Sequence, residues 1–121
     1  MFCMTPGVAL SRNLNRKQAF EMLFTGEFVS AKSAVEFGLI NDAVAPEALD
    51  AKIASVAGAI SAKSQAAVAA GKRVFYRQLE MDMEEAYAYA AKEMACNMMF
   101  HDAGEGIDAF ICKRKPVWKH K

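Results

Sequence analysis

The residues best suited to chemistry lie at the C-terminal end of the chain, where basic side chains cluster next to aromatic ones. Residues 113–121 contain five Lys or Arg and no acid, and Phe110 and Trp118 lie close by in the sequence. Ammonium and guanidinium groups bind anions, so the cluster fits a polyanion, a phosphorylated small ligand or an acidic protein surface. The same charges would also keep a helix end solvated and complement the helix dipole.

The distribution of charge narrows these choices. Because five of the 15 basic residues lie in this cluster, residues 1–112 carry 10 Lys and Arg against 14 Asp and Glu, a net charge of −4. A nucleic-acid-binding protein usually spreads its basic residues over a face or along a helix, and its pI is high, whereas this pI is near 7.7. The pattern favours a small phosphorylated ligand or an acidic partner and predicts no nucleic-acid partner.

Other kinds of chemistry find little support in the sequence. The chain has no Ser-His-Asp set, no glycine-rich phosphate loop and no HExxH motif. Its three cysteines show no CxxC spacing and have only two histidines to join them, which predicts neither a metal site nor a disulfide framework and favours a reducing compartment. No run of 18 apolar residues is present, and the start lacks the basic region of a signal peptide, so no membrane association is expected.

One helix N-terminus offers a second candidate site. In Thr5-Pro6-Gly7, Thr5 is predicted as the N-cap and Pro6 as the first helical residue. The backbone N–H of Gly7 would then be among the unpaired donors that hold an anion or polarise a water molecule. Every helix has such an end, so this signal is weak by itself.

The rest of the chain is predicted as a series of helices separated by short connections. Ser30, Ser64 and Asp82 are expected N-caps, the last with Glu85 in a capping-box spacing. Gly26 is a predicted left-handed residue at a helix C-terminus. Pro46 is expected to open a helix after a brief extended segment over residues 39–44.

Two predicted helices carry apolar stripes that need cover. Leu49, Ile53, Val56 and Ile60 recur at helical spacing, and a second stripe, expected to face inward, consists of Met83, Tyr87, Ala90, Met94 and Met98. Gly71 is expected to allow a neighbour to approach closely. A hydrophobic content of 54% is high for 121 residues. We therefore expect a fragment or an oligomer that self-associates or forms a poorly cooperative helical state when alone.

The last helix is predicted from a start signal and a stop. Asp102 followed by Glu105 has the spacing of a helix N-terminus, and Pro116 is expected to end the helix. The aromatic side chain of Trp118 would then be exposed beside the basic cluster.

The order of the motifs along the chain carries more information than any one of them. Over essentially all 121 residues the series resembles the crotonase (enoyl-CoA hydratase/isomerase) family, with bacterial members and a mitochondrial group most similar. The matching motifs are Thr25-Gly26-Glu27, Ser30-Ala31, Ala34, Gly38-Leu39-Ile40, Val44, Gly71-Lys72, Phe75-Tyr76, Glu105-Gly106, Ala109-Phe110 and Lys113-Arg114-Lys115-Pro116.

The resemblance implies a mainly α fold, with residues 1–121 as the C-terminal helical, trimerisation layer of the α/β crotonase fold and at most one short strand. It implies that the N-terminal ββα spiral core, which supplies the oxyanion-hole amides and the acid/base glutamates, precedes Met1. The chain is therefore expected to be the C-terminal portion of an acyl-CoA enzyme of fatty-acid metabolism. The complete enzyme would stabilise a thioester enolate, and this chain would be inactive without the rest of it. The alternative is a non-catalytic helical oligomerisation module.

The resemblance also implies roles for three residues. Gly7 would use its backbone N–H to hold the water or acyl group, and Phe110 and Lys113 would contact the adenine end and the phosphates of CoA from a neighbouring subunit. Acyl-CoA would be the substrate without a further cofactor, in a trimer or hexamer, in the bacterial cytoplasm or the mitochondrial matrix. Residues 6–10, Pro-Gly-Val-Ala-Leu, depart from the glycine-rich turn of many members, so isomerase, thioester hydrolase and non-catalytic roles stay open beside hydration.

Overall fold

A computed structural model describes residues 4–120, which contain seven α-helices and no β-strand. The chain divides into two compact units, residues 1–50 and residues 51–121. The helices are α1 Met4–Asn13, α2 Arg16–Thr25, α3 Ala31–Glu36, α4 Leu49–Ser61, α5 Gln65–Gln78, α6 Met83–Met98 and α7 His101–Ile111.

In the first unit α1 packs against α2. A Cβ placed on Gly7 would lie 3.5 Å from Cδ1 of Leu23, which shows how closely the two helices approach at this point. Helix α2 begins at an N-cap, Asn15, whose side chain accepts a hydrogen bond from the backbone N–H of Gln18. It ends at Gly26, whose φ of 65° confirms the predicted left-handed conformation.

Helix α1 begins earlier than its sequence predicts. Since it starts at Met4, Thr5 lies inside the first turn, and its prediction as the N-cap is wrong. Pro6 permits this extension because the N–H groups of the first turn have no partner within the helix, so a proline there removes no hydrogen bond.

The segment between α2 and α4 contains the helix starts that the sequence predicts at Ser30 and Pro46. Ser30 caps α3 by accepting a hydrogen bond from the backbone N–H of Ser33 at 3.0 Å. Residues 39–44 form no strand, and a short 3-10 helix, Pro46–Ala48, leads directly into α4. The prediction that Pro46 opens a helix is confirmed.

In the second unit α5 packs on α6, and α7 packs on both. The side chains of Ser64 and Asp82 cap α5 and α6 as predicted, each by accepting a hydrogen bond from a backbone N–H three residues later. An ion pair at 2.8 Å between Arg73 of α5 and Glu93 of α6 links the two helices.

The apolar stripes remain uncovered. In α4 the stripe residues Leu49, Ile53, Val56 and Ile60 are 50–56% exposed. The side chains of Met83, Tyr87, Met94 and Met98 in α6 are also exposed, although Ala90 and Met94 face a groove toward α5, so the predicted inner stripe is only partly turned inward within residues 4–120. Neither α4 nor α6 contains a buried residue.

A groove of about 480 Å³ lies between α5 and α6. It runs along Gly71, and no atom outside the helix backbone approaches within 4 Å of the position that a Cβ would take there. The close neighbour predicted for Gly71 is therefore not found among the described residues. The groove is lined mainly by Ala67, Ala70, Val74, Phe75, Ala90 and Met94.

No single helix in residues 4–120 has both the length and the hydropathy needed to cross a membrane; the sharply bent pair formed by Pro46–Ser61 and Gln65–Gln78 passes that test together, by length and composition only.

Candidate functional site

The basic cluster begins where α7 ends, in a Schellman motif. Cys112 is the C-cap, and the backbone N–H of Lys113 donates to the carbonyl of Phe110 at 3.2 Å. The N–H of Arg114 donates to the carbonyl of Ala109 at 3.0 Å, which completes the motif. The helix therefore ends five residues before Pro116, so the prediction that the proline ends it is wrong.

Lys113 occupies a backbone conformation that favours glycine. Its φ is 50°, in the left-handed region, at the C′ position where Schellman motifs usually carry glycine. A residue with a Cβ costs about 1 kcal/mol more than glycine there. His120 has a similar left-handed backbone, with a φ of 61°.

Phe110 and Lys113 both lie on the surface. The side chain of Phe110 is 85% exposed and Lys113 is exposed one turn further on. An exposed aromatic residue and an exposed lysine thus lie three positions apart at one end of α7. This arrangement can stack a planar group and neutralise a nearby anion.

Asp102 does not cap α7. The helix starts at His101 with Phe100 as an N-cap that makes no side-chain hydrogen bond. Asp102 is only 4% exposed, and its carboxylate accepts hydrogen bonds from the backbone N–H of Lys119 at 2.7 Å and of His120 at 2.9 Å. Burial opposes ionisation of the carboxyl, but hydrogen bonds from the Ser64 hydroxyl and these two N–H groups outweigh it and lower the pKa of Asp102.

Glu105, one turn later, holds the other end of the same segment. Its carboxylate forms a two-point ion pair with the guanidinium of Arg114 and accepts a hydrogen bond from the N–H of Val117 at 2.7 Å. These contacts, from Arg114 first and then from Val117, lower the pKa of Glu105 to about 2. Arg114 is therefore engaged within the chain and contributes less to the basic cluster than its sequence suggests.

Trp118 lies in the sequence between Val117, which Glu105 binds, and Lys119, which Asp102 binds, and it is partly buried. Its indole N–H donates to the carbonyl of Ala62 at 2.7 Å. A Cβ added to Gly106 would lie 3.4 Å from Cη2 of the indole, so glycine leaves room for the ring. The prediction that Trp118 is an exposed aromatic is wrong. We call Asp102, Glu105 and the segment 114–120 that they hold the C-terminal clasp.

Protonation of Glu105 should weaken the C-terminal clasp. A carboxyl whose pKa is lowered by folding stabilises the folded form above its ordinary pKa and loses that contribution as the pH falls through the folded value. For Glu105 this window runs from 4.5 down to about 2. We expect the fluorescence of Trp118, the only tryptophan, to stay constant from pH 8 to pH 5 and to shift to longer wavelength below about pH 4. A transition centred above pH 5 would contradict the assignment.

Gly7 lies in the first unit, at the fourth position of α1. In a regular helix the partner of an N–H lies four residues earlier, and residue 3 is outside the described residues. The role predicted for this N–H therefore stays a prediction. Among residues 4–120 no three His, Cys, Asp or Glu side chains are grouped so that they could hold a metal ion.

The sequence did not predict the contacts that three residues make at this site. Asp102, Glu105 and Trp118 bind partners that lie 9 to 56 positions away. The only local signal was the pairing of two acids one turn apart on α7 with a basic, aromatic segment soon after. That signal also fits a helix start, which is what the spacing of Asp102 and Glu105 predicts.

Known proteins contain segments that are similar in sequence to almost the whole of this chain. A sequence profile described as enoyl-CoA hydratase/isomerase matches residues 2–121. The mouse (Mus musculus) mitochondrial enoyl-CoA hydratase domain-containing protein 3 is 49% identical over 120 residues, which are 99% of this chain and 40% of that protein.

Solved structures give the same result in three dimensions. The crystal structure of an enoyl-CoA hydratase from Mycobacterium smegmatis superposes with a TM-score of 0.95 at 60% identity, covering 98% of this chain and 46% of that one. The human enoyl-CoA hydratase domain-containing protein 3 superposes with a TM-score of 0.92 at 45% identity, covering 98% and 47%. The chain thus spans less than half the length of the relatives that it matches.

Proposed function

Because the chain belongs to the enoyl-CoA hydratase/isomerase family, as its motif series predicted, we propose that it is the C-terminal helical part of an acyl-CoA enzyme of fatty-acid metabolism. In this proposal the complete enzyme adds water to, or shifts, the double bond of an enoyl thioester. The observation that carries the proposal is the superposition on the M. smegmatis enoyl-CoA hydratase, with a TM-score of 0.95 over 98% of this chain but only 46% of that enzyme.

The chemistry would be shared with polypeptide outside this chain. Enolate formation from a thioester needs preorganised N–H donors at the carbonyl oxygen and groups that move protons. We assign the oxyanion-hole amides and the acid/base carboxylates to the spiral core of the complete enzyme, and to Gly7 a supporting backbone N–H. The 121-residue chain would therefore be inactive alone.

Phe110 and Lys113 would bind the CoA part of the substrate. The exposed ring supports contact with the adenine end, and the adjacent ammonium supports contact with a phosphate. Acyl-CoA would be the substrate, with no other cofactor.

The exposed apolar faces of α4 and α6 support assembly. The whole chain exposes 9990 Å². Two separately folded proteins of the sizes of its two units would together expose only about 7,700 Å². We propose that the excess is covered by the spiral core and by further subunits in a trimer or hexamer. The cellular site would be the bacterial cytoplasm or, in a eukaryote, the mitochondrial matrix.

Reconstitution tests the function. We expect no hydration of crotonyl-CoA by the purified 121-residue chain above a buffer control, measured as loss of the ultraviolet absorbance of the enoyl thioester. Co-expression with the part of the M. smegmatis enzyme that this chain does not match should restore turnover. The unmatched part expressed alone serves as the control.

Two outcomes would count against the proposal. Turnover by the 121-residue chain alone would show that it contains a catalytic set of its own. A reconstituted complex that forms without turnover would instead favour the alternative, a non-catalytic helical oligomerisation module, which the same exposed apolar faces support.

Substitutions at Lys113 separate its binding role from its effect on stability. Lys113→Gly should increase the stability of the helix end by about 0.5–1 kcal/mol, because glycine relieves the left-handed strain. Lys113→Ala keeps the Cβ and should bring no such gain. Both should weaken acyl-CoA binding by the reconstituted enzyme about fivefold at low salt, since each removes the ammonium. Calorimetric titration measures the affinity, and an unchanged affinity in both variants would contradict the contact.

A further inference from the structure

The strained backbone of Lys113 needs support from its surroundings. A non-glycine residue in the left-handed region persists where the surrounding structure holds it there. Upstream, Lys113 is held by α7 through the hydrogen bond of its N–H to Phe110. Downstream, the N–H of Arg114 donates to the carbonyl of Ala109, and beyond Arg114 the chain has no secondary structure, so further support on that side comes from side chains.

Glu105 supplies this downstream support. Its two carboxylate oxygens bind the guanidinium of Arg114, the residue directly after Lys113, and the N–H of Val117. The Glu105 side chain is 15% exposed, so its ion pair is shielded from water more than an ordinary surface pair. Asp102 anchors the far end of the segment through the N–H groups of Lys119 and His120.

We propose that Glu105 is a positioning residue for the acyl-CoA contact: by binding the chain on the C-terminal side of Lys113, it keeps Lys113 in its left-handed conformation at the end of α7. The proposal rests on the proposed function for the identity of the ligand. The dependence of the helix end on Glu105 is the mechanical part of the proposal. It rests only on the contacts described above and needs no ligand.

The mechanism makes a specific distinction between glycine and lysine at residue 113. Without Glu105, the lysine can relieve its strain by leaving the left-handed region, and the Schellman hydrogen bonds break. Glycine has no such strain to relieve. A glycine at residue 113 should therefore make the helix end independent of Glu105.

Amide hydrogen exchange on the 121-residue chain within the reconstituted complex tests this dependence. Glu105→Ala should raise the exchange rates of the Lys113 and Arg114 amides at least tenfold, while the amides of α6 keep their rates. Glu84→Ala, at an exposed glutamate in the first turn of α6, is the matched control and should leave both amides unchanged. Adding Lys113→Gly to Glu105→Ala should return the exchange rate of Arg114 to within about threefold of the parent.

Three results would overturn the mechanical part. They are unchanged exchange at Lys113 and Arg114 in Glu105→Ala, failure of the added glycine to restore protection, and a lack of protection at these amides in the parent chain. None of these measurements requires a ligand.

The reconstituted enzyme tests the positioning role. Glu105→Ala should raise the KM for crotonyl-CoA at least threefold and leave kcat within twofold. With crotonyl-pantetheine, which lacks the nucleotide, both constants should stay the same. Equal loss with both thioesters, or a fall in kcat alone, would show a structural role only and overturn the proposal. A reconstituted parent without turnover would overturn the proposed function and the ligand contact, while the exchange data still decide whether Glu105 holds the helix end.

Discussion

Placing two lysines on the apolar stripe of α4 should convert the isolated chain from an associated form to a monomer. Ile53 and Val56 are each at least half exposed, so a large part of each side chain is open to contact with a partner. If association buries them, Ile53→Lys with Val56→Lys should weaken it by about 3 kcal/mol, or about 100-fold in the dissociation constant. Sedimentation velocity over a range of concentrations measures the shift.

A matched variant separates the loss of apolar surface from the added charge. Ala51 and Ser55 are exposed residues of α4 that lie on the side opposite the stripe, given 3.6 residues per turn. Ala51→Lys with Ser55→Lys adds the same charge and should leave the association unchanged. A parent chain that sediments as a monomer and melts sharply would contradict the prediction, because it would show that the exposed faces need no cover.

Loss of the indole of Trp118 should open the C-terminal clasp. Trp118→Ala removes the packing on Gly106 and the hydrogen bond to the carbonyl of Ala62. For a partly buried aromatic residue we expect a cost of about 2 kcal/mol in local opening, or about 30-fold faster exchange of the Lys119 and His120 amides.

Trp118→Phe is the control for the hydrogen bond alone. The smaller ring still fits over Gly106 but cannot donate to Ala62, so we expect a cost of about 1 kcal/mol, or about fivefold faster exchange. Equal rates in the alanine variant and the parent would show that the indole does not hold the segment. Equal rates in the two variants would assign the whole effect to the hydrogen bond.

Local signals explain why most of the helix boundaries could be predicted. A serine or aspartate N-cap acts on the N–H of a residue two or three positions later, so Ser30, Ser64 and Asp82 were identifiable from short stretches of sequence. Gly26 was identifiable for the same reason, since a left-handed helix end favours glycine. The fold class, a helical part of the crotonase fold, is confirmed, but it came from the order of motifs along the whole chain.

The clasp could not be predicted because its contacts are long-range. Asp102 lies 17 and 18 positions from the residues whose N–H groups it binds, and Trp118 lies 56 positions from Ala62. Two acids one turn apart near a helix start have the same spacing whether they cap that helix or hold a distant segment. Only the three-dimensional arrangement separates these possibilities.

The apolar stripes were predicted correctly as stripes, but the one in α6 is only partly turned inward. Helical periodicity shows that one face of a helix is apolar, but it does not show which polypeptide covers that face. Met83 and Tyr87 are therefore consistent with their periodicity and still exposed within residues 4–120. Their cover has to come from outside the described residues if they are buried at all.

The ion pair of Arg114 with Glu105 limits how strongly this region could compete for polyelectrolytes such as DNA. With Arg114 neutralised, Lys113, Lys115 and Lys119 remain as the exposed cations of the described tail. Three phosphate contacts release about three counterions, so the logarithm of such an association constant would fall with a slope of about −3 against the logarithm of salt concentration. Electrostatic capture of that size is weak at physiological ionic strength, which leaves the three lysines available to a small, well-placed anion.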